Sequence, residues 1–238
     1  MRALAKIYEG TDVGHVRQTN EDCGAVLDQT TYIVADGMGG HAAGEVASRT
    51  LVDEVRQLLH HNESPVDAGL LEKAIRRGNR AILSKVREFP EYRGMGTTAT
   101  IFHCEDGTGS WAHVGDSRIY LFHQGELRQM TRDHSYVEEL VENGTITELE
   151  ARNHPRKNVL TRAVGVEEYV KIDTGVFSAE RGDKVLLCTD GLTNMVSDEE
   201  IRDVLQADVE NPATFLIGKA LAAGGNDNIT AIVAVYDE

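Results

Sequence analysis

Short apolar runs rich in β-branched and aromatic side chains recur along the chain, and this pattern predicts β-strands. The runs cover residues 32–35, 98–104, 111–114, 118–122, 171–177, 184–188 and 229–236. Only Gly-Asp-Ser separates Val114 from Arg118, and the glycine within 123–127 indicates a further tight reversal. Because such short connections join antiparallel neighbours, we expect antiparallel strands here rather than a simple alternation of strand and helix.

Two longer segments carry apolar side chains at the spacing of amphipathic helices. They cover 46–59 and 70–86, and both have charged side chains on the opposite face. Ser197 and Glu200 form the capping box of a shorter helix, and a fourth helix is expected over 213–222. Strands and helices in this arrangement predict an α+β fold built from packed layers.

The segment 133–165 is more polar than the rest of the chain and contains several basic side chains. Its length is unusual for a simple connection, so it predicts a flap subdomain at the surface. The alternative is an ordinary connection that contains a helix over 136–142. No tract of biased composition and no internal repeat divides the rest, so one domain over 1–238 is expected.

Composition restricts the classes of protein that remain. No run approaches the ~20 apolar residues that span a membrane, and the N-terminus lacks a secretory apolar run. The cysteines, Cys23, Cys104 and Cys188, are widely spaced, which predicts neither a disulfide framework nor a thiolate zinc site. We therefore expect a cytoplasmic protein.

The formal net charge is -15, which disfavours binding to nucleic acid and to anionic membranes. Two explanations of this charge stay open at the level of composition. Bound cations neutralise some of the carboxylates, or the protein simply has an acidic, soluble surface.

Aspartates follow or precede apolar runs at three places beside glycine. Asp36 is followed by Gly37-Met38-Gly39-Gly40-His41, and Asp190 is followed by Gly191, while Asp227 lies between a glycine pair and the last apolar run. Glycine permits close backbone approach, so the Asp36 carboxylate and the Gly37 carbonyl can face one cation. Alternatively these are ordinary turns, or the glycine-rich run is a phosphate nest without the lysine of a P-loop. The recurrence predicts one shared site.

The hexapeptide Arg17-Gln-Thr-Asn-Glu-Asp22 places a cation close to two carboxylates. A guanidinium matches the oxygens of a phosphate, and carboxylates bind the metals that would oppose its charge. A local surface ion pair is the alternative interpretation.

Together these residues resemble the bacterial metal-dependent protein phosphatases of type 2C, over nearly the whole chain. The motifs that carry the resemblance are, in order, Arg17 with Asn20-Glu21-Asp22, Asp36-Gly37-Met38-Gly39-Gly40-His41, Gly96-Thr97-Thr98, Val114-Gly115-Asp116-Ser117-Arg118, Asp133-His134-Ser135, Thr189-Asp190-Gly191 and Asp227-Asn228. The resemblance implies a four-layer αββα sandwich, in which two antiparallel β-sheets are flanked by helices and the site lies in a cleft at one edge.

The resemblance also implies a dinuclear metal centre. In it Asp36 bridges two cations, Asp190 and Asp227 complete the coordination of the first, and Glu21 and the Gly37 carbonyl hold the second. All of these donors are oxygens, which favours Mn²⁺ or Mg²⁺ over zinc. The resemblance favours Mn²⁺.

The remaining implied roles concern water and phosphate. Asp22 belongs to the metal site by orienting water there, and Arg17 binds the phosphate oxygens. Two cations of this kind activate a water for in-line attack on phosphorus, and no phosphoenzyme is needed. Arg17, Asp36 and Asp190 are thus the expected catalytic residues.

The chain departs from the animal enzymes of this family at Met38, where those enzymes have a histidine proposed as the general acid. His41 is a substitute candidate for this acid, although a histidine in a glycine-rich turn often has only a structural hydrogen bond. The general acid therefore stays unassigned.

Asp116 is a candidate ligand of a third, weaker metal near the flap, as in bacterial relatives, or it forms an Asx-turn in a hairpin. Arg118 either pairs with a carboxylate of the site or flanks the turn. Thr97 and Thr98 are expected to be structural, since threonine suits a strand.

The expected function is hydrolysis of phosphoserine and phosphothreonine in proteins that a Ser/Thr kinase has phosphorylated, by a monomer. Two alternatives stay open: an inactive phosphatase-like module that binds partners, and a phosphatase of small phosphate esters.

Overall fold

The computed structural model describes residues 5–39, 43–207 and 209–236, and in them the strands form two antiparallel sheets. The first sheet contains, in spatial order, β1 (Lys6–Asp12), β11 (Ile229–Val235), β10 (Lys184–Cys188), β7 (Arg118–His123) and β8 (Glu126–Gln129). The second contains β2 (Asp22–Val26), β3 (Thr31–Met38), β5 (Ala99–Glu105), β6 (Thr108–Val114) and β9 (Asp173–Ser178), and the short β4 (Gly96–Thr97) pairs with β3.

Helices cover the outer faces of both sheets, and two further short helices lie within segment 133–165. They are α1 (Ala43–His60), α2 (Ala68–Glu88), α3 (Tyr136–Glu142), α4 (Glu148–Arg152), α5 (Asp190–Thr193), α6 (Asp198–Gln206) and α7 (Pro212–Ala222). Helices α1 and α2 pack on the second sheet, and α5 and α7 pack on the first. The capping box of Ser197 and Glu200 begins α6, as predicted.

Strand residues alternate between two apolar layers, which explains why the central strands are apolar throughout. In β11, Ala231 and Val233 belong to the core under α5–α7, whereas Ile232 and Ala234 belong to the core between the sheets. A third core, which includes Ile33 of β3, lies between the second sheet and α1 and α2. Since neighbouring strand residues point to opposite faces, a strand buried on both faces needs apolar side chains at every position. This is the predicted αββα sandwich, and the fold prediction is confirmed.

Besides the two-residue β4, the strands that the apolar pattern missed are β1, β2 and β8, and these three lie at sheet edges. Each contains polar or half-exposed side chains, such as Glu9 in β1 and Arg128 in β8. Because an edge strand is covered on fewer sides, burial imposes a weaker pattern on it.

The segment 133–165 contains two short helices. Ser135 caps α3, and Thr147 forms a capping box with Glu150 at the start of α4. The segment returns to the body of the protein through a bridge between Thr97 and Val164. Its expected independence as a flap subdomain stays a prediction, as does the single domain over 1–238. Among the described residues, no helix combines the length and the apolar character needed to cross a membrane.

Candidate metal centre

The site is a cluster of aspartates that distant parts of the chain bring together. Carboxylate oxygens of Asp36 on β3, Asp116 in the β6–β7 turn and Asp190 at the start of α5 lie within 4.8 Å of one another. Asp22 on β2 lies directly opposite Asp36 in the antiparallel pair. The fold therefore gathers four carboxylates that the sequence separates widely.

Burial and mutual repulsion make these carboxylates reluctant to ionise without a cation. Burial first, and then the charges of Asp22 and Asp190, raise the pKa of Asp36 well above its usual value. Burial and the Asp190 charge do the same to the pKa of Asp116. Burial raises the pKa of Asp22 to about 7, although hydrogen bonds to its carboxylate oppose this shift. Such crowding is costly unless positive charge is bound among the carboxylates.

Two orphaned atoms indicate where such positive charge fits. Within the described part of the chain, Oδ1 of Asp22 and Oδ1 of Asp190 are buried and have no hydrogen-bond partner. The donors in the cluster are carboxylate oxygens, which suit hard divalent cations such as Mg²⁺ and Mn²⁺. The residues present therefore fit the expected metals.

Asp36 does not enter a turn as the sequence suggested, because β3 continues through Met38 by pairing with β4. The reason for glycine at position 37 is close packing. A Cβ on Gly37 would lie 2.2 Å from the Gly44 carbonyl oxygen and 2.5 Å from that of Glu21. The Gly37 amide also donates to the Glu21 carbonyl at 3.1 Å. Glycine thus allows β3, the Glu21 segment and the start of α1 to meet beside Asp36.

The backbone of Asp36 is fixed by a threonine pair. The Asp36 amide donates to Oγ1 of Thr98 at 2.8 Å, and Oγ1 of Thr97 donates to the Asp36 carbonyl at 3.0 Å. The Thr98 hydroxyl also lies 2.8 Å from the Ser117 hydroxyl, next to Asp116. Both threonines are structural, but Thr98 additionally connects the strand of Asp36 to the turn of Asp116.

Asp22 lies behind the cluster and is itself held by hydroxyl groups. Its Oδ2 accepts hydrogen bonds from Thr189 at 2.8 Å and from Thr230 at 2.7 Å. Thr189 precedes Asp190, so this contact connects β2 to the segment that carries Asp190. One oxygen of Asp22 is thereby occupied, and the other is the orphaned Oδ1.

Asn228 is a residue whose importance the sequence did not reveal. Its buried side chain donates to the carbonyls of Val13 and Thr19, both at 3.0 Å, and accepts from the Glu21 amide at 2.8 Å. Its sequence signal was its place in the motif Asp227-Asn228, which assigned it no role. Asn228 holds the N-terminal segment against the Asp227 loop, so it sets the position of Glu21 relative to Asp227.

Arg17 reaches the site, but it pairs with one of the expected ligands. Its guanidinium donates to Oδ2 of Asp227 at 2.8 Å, and its side chain is 51% exposed. Glu21 and Asp227 are outside the aspartate cluster yet line the same cavity. Burial raises the pKa of Glu21, and the Arg17 charge opposes this shift.

The alternatives for Arg118 are resolved by its contacts. Its guanidinium forms a forked ion pair with Asp133, with Nη2 at 2.7 Å from Oδ2 and Nε at 2.9 Å from Oδ1. Arg118 therefore pairs with a carboxylate, but with one at the start of segment 133–165 that lies outside the aspartate cluster. Asp190 has different partners: Asn194 donates to it at 2.9 Å, and Lys157 donates to Asn194 at 3.2 Å.

Glu21, Asp36, Asp116, Asp190 and Asp227 lie on the floor of a cavity of about 650 Å³. Met38, Leu160, Val166 and Tyr169 form an apolar wall beside this floor. A second cavity of about 350 Å³ lies between segment 133–165 and the first sheet and shares Asp116 and Asp190 with the first. His41, the candidate acid, lies outside the described residues.

Comparison with known proteins agrees with this architecture. A family model described as protein phosphatase 2C matches residues 10–217. The serine/threonine phosphatase stp of Listeria welshimeri serovar 6b is 42% identical over 233 residues, which are 94% of this chain and 92% of that protein. PstP of Mycobacterium tuberculosis is 43% identical over 231 residues, which are 94% of this chain and 43% of that protein.

Solved structures give the same result. The crystal structure of the M. tuberculosis serine/threonine phosphatase PstP/Ppp has a TM-score of 0.93 at 39% identity, covering 98% of this chain and 99% of that one. A PstP catalytic domain in complex with two manganese ions has a TM-score of 0.89 at 39% identity, covering 97% of both chains. The chain belongs to the protein phosphatase 2C family.

Proposed function

We propose that the chain is a metal-dependent phosphatase that hydrolyses phosphoserine and phosphothreonine in proteins. The single observation that supports this most strongly is the cluster of Asp36, Asp116 and Asp190, whose oxygens lie within 4.8 Å of one another on the floor of an open cavity. The relatives of this chain named above are serine/threonine phosphatases.

Two divalent cations, when bound, supply an activated water and offset the charge of the phosphate. Asp36, Asp190 and Asp227 would hold the first of these cations, and Asp36, Glu21 and the Gly37 carbonyl would hold the second. Asp22 would orient water at this centre, with its Oδ2 anchored by Thr189 and Thr230. Asp116 and Asp190 together offer a third, weaker position.

Arg17 binds the phosphate from its exposed side. Its contact with Asp227 directs the guanidinium toward the floor of the cavity, which limits the rotamer freedom that phosphate binding would otherwise remove. An inactive binding module is disfavoured because none of the proposed carboxylate ligands has been lost. The cavity also admits small phosphate esters, which are the alternative substrates.

Further parts of the proposal concern cofactor, setting and partners. Mn²⁺ is our first choice of metal, supported by the two manganese ions of the related PstP structure. The substrates are products of a Ser/Thr kinase. A cytoplasmic location is supported by the three free thiols, Cys23, Cys104 and Cys188. We propose a monomer, which light scattering can test.

The central test measures release of phosphate from a phosphothreonine peptide. We expect no turnover in EDTA, recovery with Mn²⁺, and a loss of about a hundredfold or more in Asp36→Asn. The matched control is Asp53→Asn, an exposed aspartate on α1 that should keep full activity. Turnover in EDTA would contradict the metal mechanism, and phosphopeptide binding without turnover in excess Mn²⁺ would favour the binding module.

A further inference from the structure

The wall of the main cavity contains large apolar side chains that are exposed. Val166 is 52% exposed and Tyr169 is 70% exposed, and both line the cavity that contains the aspartate cluster. Exposed apolar side chains that group beside a site commonly mark a binding surface. Other exposed apolar side chains, such as Val176 and Phe215, are outside this cavity.

The loop that carries Val166 and Tyr169 is held in place by hydrogen bonds from α2. The buried side chain of Asn79 accepts from the Gly165 amide at 2.6 Å and donates to the Glu167 carbonyl at 2.9 Å. Gly165 has φ +90°, and a Cβ there would lie 2.3 Å from Ile82, so the turn requires glycine. The loop is therefore shaped in advance of any ligand.

Tyr169 is oriented by a second contact from α2. The Arg76 guanidinium lies over the tyrosine ring, 5.0 Å from its centroid, and also donates to the Val170 carbonyl at 3.3 Å. One face of the ring is thus engaged, and the side chain borders the cavity. A tyrosine held in this way offers a large contact area with little loss of conformational entropy on binding.

The apolar surface is continuous with the strand of Asp36. Met38 and Val166 meet over Gly96, since a Cβ on that glycine would be 2.8 Å from Cε of Met38 and 2.9 Å from Cγ2 of Val166. Met38 is only two residues from Asp36 along β3. A substrate whose phosphate lies at the aspartate cluster would therefore place neighbouring residues against this wall.

We infer that Val166 and Tyr169 form a subsite for the residues that flank the phosphorylated residue, and that this subsite selects an apolar or aromatic side chain within two positions of it. This inference rests on the proposed function and names its substrate class. Preference for apolar over small polar flanking residues is expected to be about tenfold in kcat/KM, the effect of partial burial of one side chain.

The test uses phosphothreonine peptides that differ only by leucine or serine at one flanking position, scanned two residues to either side. Wild-type protein with Mn²⁺ should favour leucine by about tenfold in kcat/KM at one or more positions. The ratio should fall toward one in Tyr169→Ala and in Val166→Ser. Val176→Ser, an exposed valine on β9 outside the cavity, should keep the wild-type ratio.

Several outcomes would overturn the subsite. The first is equal turnover of all peptides by wild-type protein. The second is a leucine-to-serine ratio of kcat/KM that is unchanged in both variants. The third is an equal fall in kcat/KM for both peptides, which would mean that the two residues only maintain the structure of the site. Wild-type turnover of p-nitrophenyl phosphate separates the two proposals. Turnover of this ester without discrimination among peptides removes the subsite alone, whereas no turnover of any substrate removes the proposed function and the subsite with it.

Discussion

At the scale of single residues, the site depends on side chains that limit one another. Arg17 shares Asp227 with the proposed metal site, and Gly37 exists as glycine because two carbonyl oxygens occupy the space of a side chain. Asn228 and Thr98 hydrogen-bond to the backbone amides of Glu21 and Asp36 and thereby help to set the positions of these two residues. Their roles were missed in the sequence because each connects segments that are far apart in the chain.

Substitution of Arg17→Ala should raise KM for a phosphopeptide by about tenfold or more with a smaller change in kcat, because a charged hydrogen bond to the phosphate is lost. Steady-state kinetics with Mn²⁺ measure both constants. The control is Arg128→Ala, an exposed arginine paired with Glu126 in the β7–β8 hairpin, which should change neither constant. An unchanged KM in Arg17→Ala would remove its phosphate role.

Gly37→Ala should lower the free energy of unfolding by about 1–3 kcal/mol and weaken Mn²⁺ binding, because the new methyl group would press on the Gly44 and Glu21 carbonyls. Gly218→Ala is a matched control, since a Cβ there meets nothing within 4 Å and the helix α7 should gain about 0.5–1 kcal/mol. Urea unfolding and Mn²⁺ titration test both. Equal effects of the two substitutions would contradict the packing argument.

At the scale of elements, one buried histidine joins β6 to the segment around Arg132 that leads into α3, and this contact forms a junction between the two. His113 on β6 lies 2.9 Å from the Thr100 hydroxyl through Nδ1, and its Nε2 lies 3.1 Å from the Arg132 carbonyl. Since a carbonyl only accepts, Nε2 carries the proton and Nδ1 accepts from Thr100. Arg118 and Asp133 reinforce the same junction with their forked ion pair. The neutral ring therefore stabilises the junction beside Asp116.

Acid should weaken this junction. Burial first, and then the nearby His134, lower the pKa of His113 from 6.5 to about 3. Between these values the unfolded chain binds a proton at this residue and the folded chain does not, so the contribution of His113 to the free energy of unfolding falls as pH falls, by about 1.4 kcal/mol per pH unit. His113→Gln should remove this contribution. Urea unfolding between pH 6.5 and 4.5 gives the slope for each protein, and equal slopes would contradict the prediction.

At the scale of the whole molecule, the net charge of -15 and the carboxylate cluster both favour the binding of cations. The αββα layers hold Asp22, Asp36, Asp116 and Asp190 together, although the charges of the other three all raise the pKa of Asp36. In the metal-free protein this repulsion between carboxylates is not compensated, and it occurs where the proposed mechanism needs cations. Stability and activity are therefore expected to depend on the same ions.

The stabilisation by Mn²⁺ should consequently increase with pH. Because the pKa values of these aspartates are raised in the folded protein, to about 7 for Asp22, the metal-free folded state binds more protons than the unfolded state above the usual carboxyl pKa. The contribution of these carboxyl groups to the stability of the metal-free protein is thus lost as pH rises toward 7, and Mn²⁺ must displace protons below that value. The difference in unfolding free energy between Mn²⁺ and EDTA should be larger at pH 8 than at pH 5.5. A larger difference at pH 5.5 would contradict this.

The sequence by itself determined the local structure of the core and the chemistry available to the site. Central strands and the long helices could be predicted because burial on two faces or on one helix face imposes a regular apolar pattern, and the motifs around Asp36 and Asp190 identified the family. Only the tertiary structure decided which groups meet. The decisive contacts all join distant segments of the chain. They are the pairing of Asp22 with Asp36, the approach of Asp116 to Asp190, the contact of Arg17 with Asp227 and the apolar wall at Tyr169. Strand register and layer packing fix such contacts, and neither leaves a periodic signal in the chain.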